Sequence, residues 1–117
     1  MDLIWAFSRD VKEGKMRQLQ TWLDNNEERV AELAPEGTEY LGSYVAAQSS
    51  EKGMGELFTL WRMDSYGAQD KLAAQQDTEL GQLFSEYFDF LDARNEAYSG
   101  SILLKRMTDA SLWGTDV

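Results

Sequence analysis

Tyr40-Leu41-Gly42-Ser43-Tyr44-Val45-Ala46-Ala47 and Glu56-Leu57-Phe58-Thr59-Leu60-Trp61-Arg62-Met63 are two strand-like runs, separated by the polar, glycine-bearing stretch Gln48–Gly55. Aromatic and β-branched residues suit a pleated, half-buried surface, and glycines with small polar residues suit a connection. The pattern predicts a hairpin whose eight-residue connection is too long for a tight two-residue turn. Side chains alternate along a strand, so Leu57, Trp61 and Met63 share one face while Phe58 and Leu60 share the other. A hairpin apolar on both faces has to be covered on both.

The flanking segments supply one cover. Upstream, Met16, Leu19, Trp22, Leu23, Val30 and Leu33 recur largely at helical spacing, which predicts a helix from about Glu13 to Leu33. Ala34-Pro35-Glu36-Gly37 stops it, since proline cannot continue a helix and glycine turns freely. Before it, Leu3–Ser8 reads as a strand. Downstream, Asp64-Ser65 offers a helix cap. A helical segment then extends to about Tyr98, with a break near Gln76-Asp77 and the stripe Leu80, Leu83, Phe84, Tyr87, Phe88 and Leu91. Ser101–Met107 is the last strand. The order is βαββαβ, the ferredoxin-like plan, an α+β fold with a four-stranded antiparallel sheet and helices on one face. Residues 1–117 form a single domain, with 108–117 as a C-terminal tail.

Helices on one face leave the other bare, yet it is not polar. Ile4 and Ala6 oppose Leu3, Trp5 and Phe7, and Ile102 and Leu104 oppose Leu103 and Met107. The simplest cover is the same face of a second copy, a self-complementary two-fold contact. The expected assembly is a homodimer packed sheet on sheet, a dimeric α/β barrel, with Leu112-Trp113 of the tail as a clasp on the partner.

Composition narrows the chemistry. The chain has 117 residues, 11 basic against 21 acidic, for a net charge of −10, with 43% hydrophobic residues and neither Cys nor His. Without Cys there is no disulfide, thiolate metal site or thiol nucleophile. Without His there is no imidazole base, histidine-ligated metal or Ser-His-Asp triad. The negative charge argues against nucleic acid and anionic membranes as partners. No signal segment or membrane span is expected, and a cytoplasmic location is the default. Neither a cofactor nor a metal is expected. Glu86 and Asp89, three apart, fall on the solvated helix face, and a hard metal needs several convergent oxygens. Gly53-Met54-Gly55 is a hairpin loop, with Phe58 where a dinucleotide fingerprint needs glycine.

Val11-Lys12-Glu13-Gly14-Lys15 leading into Leu19 and Trp22-Leu23 is similar to the strand, turn and first helix of the dimeric α/β-barrel superfamily. Trp61-Arg62-Met63-Asp64-Ser65, followed by Ala68 and Leu72, resembles that superfamily's entry into the second helix. The superfamily includes NIPSNAP-like proteins and cofactor-free antibiotic-biosynthesis monooxygenases. The resemblance implies a ligand cleft between sheet and helices, and a dimer. Members with the second segment often carry Trp at the position of Met63 and His near Gln75 or Gln76; this chain has neither.

Candidate ligand-binding residues are the strand-associated aromatics Trp5, Tyr44, Trp61 and Tyr66, with Tyr40 in the same class. Buried Trp and Tyr need partners for their polar tips, so they line pockets as well as cores. Arg62 and Arg106 join them, because a guanidinium in an apolar strand needs a carboxylate or an anionic ligand. The bland alternatives are core packing for the aromatics and strand-end salt bridges for the arginines. Three functional readings stay open: binding of an apolar or aromatic small molecule, a cofactor-independent monooxygenase or isomerase, and a structural dimerisation protein. No pair of titratable residues has a diagnostic catalytic spacing.

Overall fold

A computed structural model describes residues 1–47, 56–92 and 100–108. Its elements are β1 (Leu3–Asp10), α1 (Met16–Glu32), β2 (Thr38–Val45), β3 (Glu56–Met63), α2 (Tyr66–Ala73), α3 (Glu79–Phe88) and β4 (Gly100–Lys105). The strands form one antiparallel sheet in the order β2-β3-β1-β4. This is the ferredoxin-like arrangement that the element order implies, with the second helical segment divided in two.

Register follows hydrophobic alternation. Leu3, Trp5 and Phe7 pair with Met63, Trp61 and Thr59. These side chains share the helix-covered face, where Leu3, Trp61 and Met63 are buried together with Val30 of α1, Ala68 and Leu72 of α2, and Leu80 and Leu83 of α3. A second buried cluster joins Leu19, Leu57, Tyr87 and Leu91. The opposite face carries Ile4, Ala6, Phe58, Leu60, Ile102 and Leu104, as alternation requires. No described element covers it, and Ile102 and Leu104 are 58% and 52% exposed.

Helix ends follow local chemistry. The Ser65 hydroxyl accepts from the Ala68 amide at the start of α2, as the Asp64-Ser65 reading anticipates. Gly37 turns the chain after α1 at φ +85°, and a Cβ there would meet Asp64 Oδ1 at 2.6 Å. The break near Gln76-Asp77 separates α2 from α3, whose cap is the Thr78 hydroxyl accepting from the Gly81 amide.

Several boundaries differ from expectation. α1 begins at Met16 rather than Glu13, because Lys12–Lys15 form a turn closed by Lys15 N–H donating to Lys12 O. β1 reaches Asp10, and β4 ends at Lys105, leaving Met107 exposed beyond it. α3 stops at Phe88 instead of running towards Tyr98. The backbone of residues 90–92 turns to β1's end instead: Lys12 N–H donates to Phe90 O, Asp92 N–H donates to Asp10 O, and Val11 bridges Leu91. Those groups satisfy each other, so nothing is gained by another helical turn. Phe88, a member of the expected apolar stripe, is 48% exposed. The connection 48–55, Glu96, Tyr98 and the clasp Leu112-Trp113 lie outside the described residues.

Candidate functional site

Between the sheet and the helices lies a cavity of about 510 Å³. The sheet supplies Trp5 and Phe7 from β1, Tyr40 and Ser43 from β2, and Thr59 and Trp61 from β3. α1 contributes Trp22, Leu23 and Val30, which helical spacing puts on its sheet-facing side. Phe84, Tyr87 and Phe88 come from α3, and Gln75, Gln76 and Gly81 from the α2–α3 junction.

Aromatic rings form most of the wall. Trp61 packs against Tyr40 at 5.1 Å and Phe84 at 5.9 Å between centroids, Trp22 against Tyr87 at 5.7 Å, and Phe7 against Phe88 at 5.8 Å. Two indole donors are already committed. Trp5 Nε1–H donates to Ser101 Oγ at 2.6 Å, and Trp22 Nε1–H to Glu86 Oε1 at 3.0 Å. That second bond gives Glu86 a structural partner, and among the described residues no group of three or more acidic side chains could hold a metal ion.

The polar part of the wall is a chain of hydroxyls. Tyr40 OH donates to Glu27 Oε2 at 2.8 Å. The Tyr40 oxygen lies 2.6 Å from Ser43 Oγ, Ser43 Oγ lies 3.1 Å from Tyr87 OH, and Tyr87 OH lies 2.6 Å from Thr59 Oγ1. Burial pushes both phenols above the ordinary tyrosine range, with the Glu27 carboxylate adding to the effect at each. Both therefore stay protonated at neutral pH.

A β-bulge makes this chain possible. Pairing between β2 and β3 slips one residue between Tyr40 and Gly42, with Gly42 at φ +130°. The extra residue, Leu41, puts Tyr40 opposite Trp61 and Ser43 opposite Thr59, both on the helix-covered face. It also turns Tyr44 to the bare face, opposite Phe58, where it is 55% exposed.

The six ligand-binding candidates read from the sequence are thus divided between four places, and only Trp5 and Trp61 line the cavity. Tyr44 lies on the bare face. Tyr66 is exposed at the start of α2 beneath Lys105, whose Nζ is 5.7 Å from the ring centroid. Arg62 and Arg106 share Asp2: Arg62 Nε and Arg106 Nη1 approach its two carboxylate oxygens at 3.5 and 3.3 Å, and Arg62 Nη1 approaches Glu39 Oε1 at 3.5 Å. That is the strand-end salt-bridge arrangement, largely exposed and worth about 0–1 kcal/mol. The members of the hydrogen-bonded chain that the sequence did not single out as candidates are Glu27, Ser43, Thr59 and Tyr87. A signal existed for two of them. Thr59 stands between Leu57 and Trp61 on a buried strand face, and Tyr87 lies inside the α3 apolar stripe. Nothing local marks Glu27, whose partner is 13 residues away across a helix–strand connection.

No family model matches the chain, and no curated protein matches it. Solved structures do. A NIPSNAP domain protein from Burkholderia xenovorans superposes with a TM-score of 0.61 at 13% identity, covering 92% of this chain and 96% of its own. A NIPSNAP family protein from Agrobacterium tumefaciens gives 0.62 at 12% identity, covering 96% and 99%. An antibiotic-biosynthesis-monooxygenase-like protein from Caulobacter crescentus gives 0.57 at 12% identity, covering 90% and 89%. At such identities the likeness is one of fold. The chain therefore shares the ferredoxin-like fold of NIPSNAP and antibiotic-biosynthesis-monooxygenase-like proteins, as the motif resemblance implied.

Proposed function

We propose that this chain binds a small, planar, largely apolar molecule in the cavity between sheet and helices, and that it does so as a homodimer. The observation that carries the reading is the cavity itself. Its 510 Å³ lies within the usual range for small-molecule sites, and its largely aromatic wall carries a connected strip of hydroxyls, besides the polar side chains of Gln75, Gln76, Ser85 and Asp89. A purely structural protein would be expected to close such a space, because an unfilled interior forfeits dispersion contacts.

Three of the chain's four tryptophans line the cavity, so an aromatic occupant changes their emission. Titration with naphthalene or indole is expected to quench the fluorescence and to raise the melting temperature. Ligand at a hundredfold excess over its Kd adds about 2.7 kcal/mol of stability. Neither quenching nor a thermal shift up to the solubility limit overturns the binding reading.

The dimer is supported by the bare sheet face. Its centre is apolar, and beside it Asp2 and Glu39 alternate with Arg62 and Arg106. A two-fold axis can set such a mixed-charge rim against itself. Light scattering at micromolar concentration is expected to give twice the chain mass of 13.3 kDa. A monomer overturns this part alone.

A further inference from the structure

The hydroxyl chain has a direction. As a carboxylate, Glu27 can only accept, and it takes the single proton of Tyr40. With that proton committed, the 2.6 Å contact to Ser43 is a hydrogen bond only if Ser43 donates to Tyr40. Ser43 then has no proton left for Tyr87, so Tyr87 donates to Ser43 across 3.1 Å. By the same count Thr59 donates to Tyr87 across 2.6 Å. Each hydroxyl owns one proton, and all four point towards Glu27. What remains free on this strip, and what Thr59 Oγ1 presents at its end, is lone pairs.

We propose that Glu27 sets the polarity of the cavity wall, so that the site selects a planar ligand carrying a hydrogen-bond donor, a neutral hydroxyl or amine, and rejects an ether or carboxylate at the same position. The donor's proton goes to Thr59 Oγ1, the terminal acceptor of the strip. A methyl ether buries an oxygen against lone pairs with no proton between them. A carboxylate adds a charge of the same sign as Glu27. Both leave a polar group unpaired in an apolar site, which is how a hydrogen-bonding site discriminates. The phenols keep their protons because burial holds both in the neutral form, so the direction persists across the neutral range. This inference rests on the cavity-binding reading.

Three naphthalenes of one shape test it: 2-naphthol, 2-methoxynaphthalene and 2-naphthoate, each titrated against tryptophan fluorescence at neutral pH. The naphthol is expected to bind about tenfold or more tighter than either of the others, the difference that one hydrogen bond makes. Glu27→Gln is expected to shrink that preference. The amide can donate to Tyr40, which lets the whole chain reverse and turns the Thr59 proton towards the ligand. Thr59→Val keeps the side-chain shape and removes the terminal acceptor, so it is expected to abolish the preference while methoxynaphthalene still binds. Equal affinities for naphthol and methoxynaphthalene in the unmodified protein overturn the inference and leave the binding reading intact. A preference unchanged in both variants also overturns it. No binding of any of the three overturns the cavity reading, and the inference with it.

Discussion

Tyr87 joins two strand alcohols through one phenol, and its removal tests what the hydroxyl chain contributes. Tyr87→Phe keeps the ring against Trp22 and Phe88 but strips partners from Ser43 and Thr59. Two part-buried hydroxyls then lose a bond, and a loss of about 1–3 kcal/mol in urea-unfolding stability is expected. The two raised phenols also make stability depend on alkaline pH. A group whose folded value lies above its unfolded one contributes stability that is whole below the unfolded value and is lost as pH rises through the folded value. Here the unfolded tyrosines release protons near pH ~10 while folded Tyr40 and Tyr87 hold theirs. Stability is therefore expected to fall above that pH. Phenolate absorbance should show two tyrosines ionising only as the fold opens. If every tyrosine titrates before unfolding, the buried chain is refuted. None of this was legible from alternation alone. A period of two places Tyr40, Gly42 and Tyr44 on one face, and the bulge at Leu41 replaces Tyr44 with Ser43.

At the scale of elements, the α2–α3 junction is closely packed, backbone against backbone. A Cβ on Gly81 would lie 2.7 Å from Gln76 O and 2.8 Å from Gln75 O, both backbone atoms with little room to move. Gly81→Ala is therefore expected to cost about 1–3 kcal/mol by overpacking and to alter the cavity edge that Gly81, Gln75 and Gln76 share. An unchanged melting temperature would show that the junction yields easily. Its position was partly readable, since the sequence breaks near Gln76-Asp77. The backbone contact was not, because it joins residues by geometry rather than by pattern. A second tie joins α1 to α3, where Arg29 binds both oxygens of Glu79. The hydrogen bond to Arg29 holds the Glu79 carboxyl below its usual range. Stability from a lowered carboxyl is present above its unfolded value, near pH ~4, and lost as pH falls through the folded one. Glu79→Gln is expected to lower the neutral limb of the stability profile slightly, as suits a surface pair, and so to flatten the acid limb, with the variant and parent profiles converging at low pH. Acid unfolding identical to the parent's would remove this pair as a contributor.

At the scale of the whole molecule, the two faces of the sheet do different work. The helix-covered face holds both the core and the cavity, and the bare face holds the proposed dimer contact. In the proposed dimer Ile102→Glu would put a charge into the apolar contact of each chain, at a side chain that is largely exposed in the single chain. It is expected to give a folded monomer by light scattering, with far-ultraviolet dichroism unchanged. A persistent dimer would locate the contact elsewhere. The net charge of −10 per chain opposes pairing at low salt, so the dimer is expected to tighten as ionic strength rises.

The sequence by itself determined the order of elements, the faces of β1, β3 and β4, the Ser65 cap and the break before α3. Each of these is written in neighbouring residues, through periods of two and 3.6 and through side chains that satisfy nearby amides. Tertiary structure decided the end of α3, the bulge at Leu41 and the alignment of Glu27, Tyr40, Ser43, Tyr87 and Thr59. These arise where backbone groups and side chains find distant partners. Val11 with Leu91 and Glu27 with Tyr40 meet only because the sheet and helices have already been packed against each other. Composition supplied hydroxyls and carboxylates without saying which would share a wall. Packing α1 and α3 onto β2 and β3 made that choice.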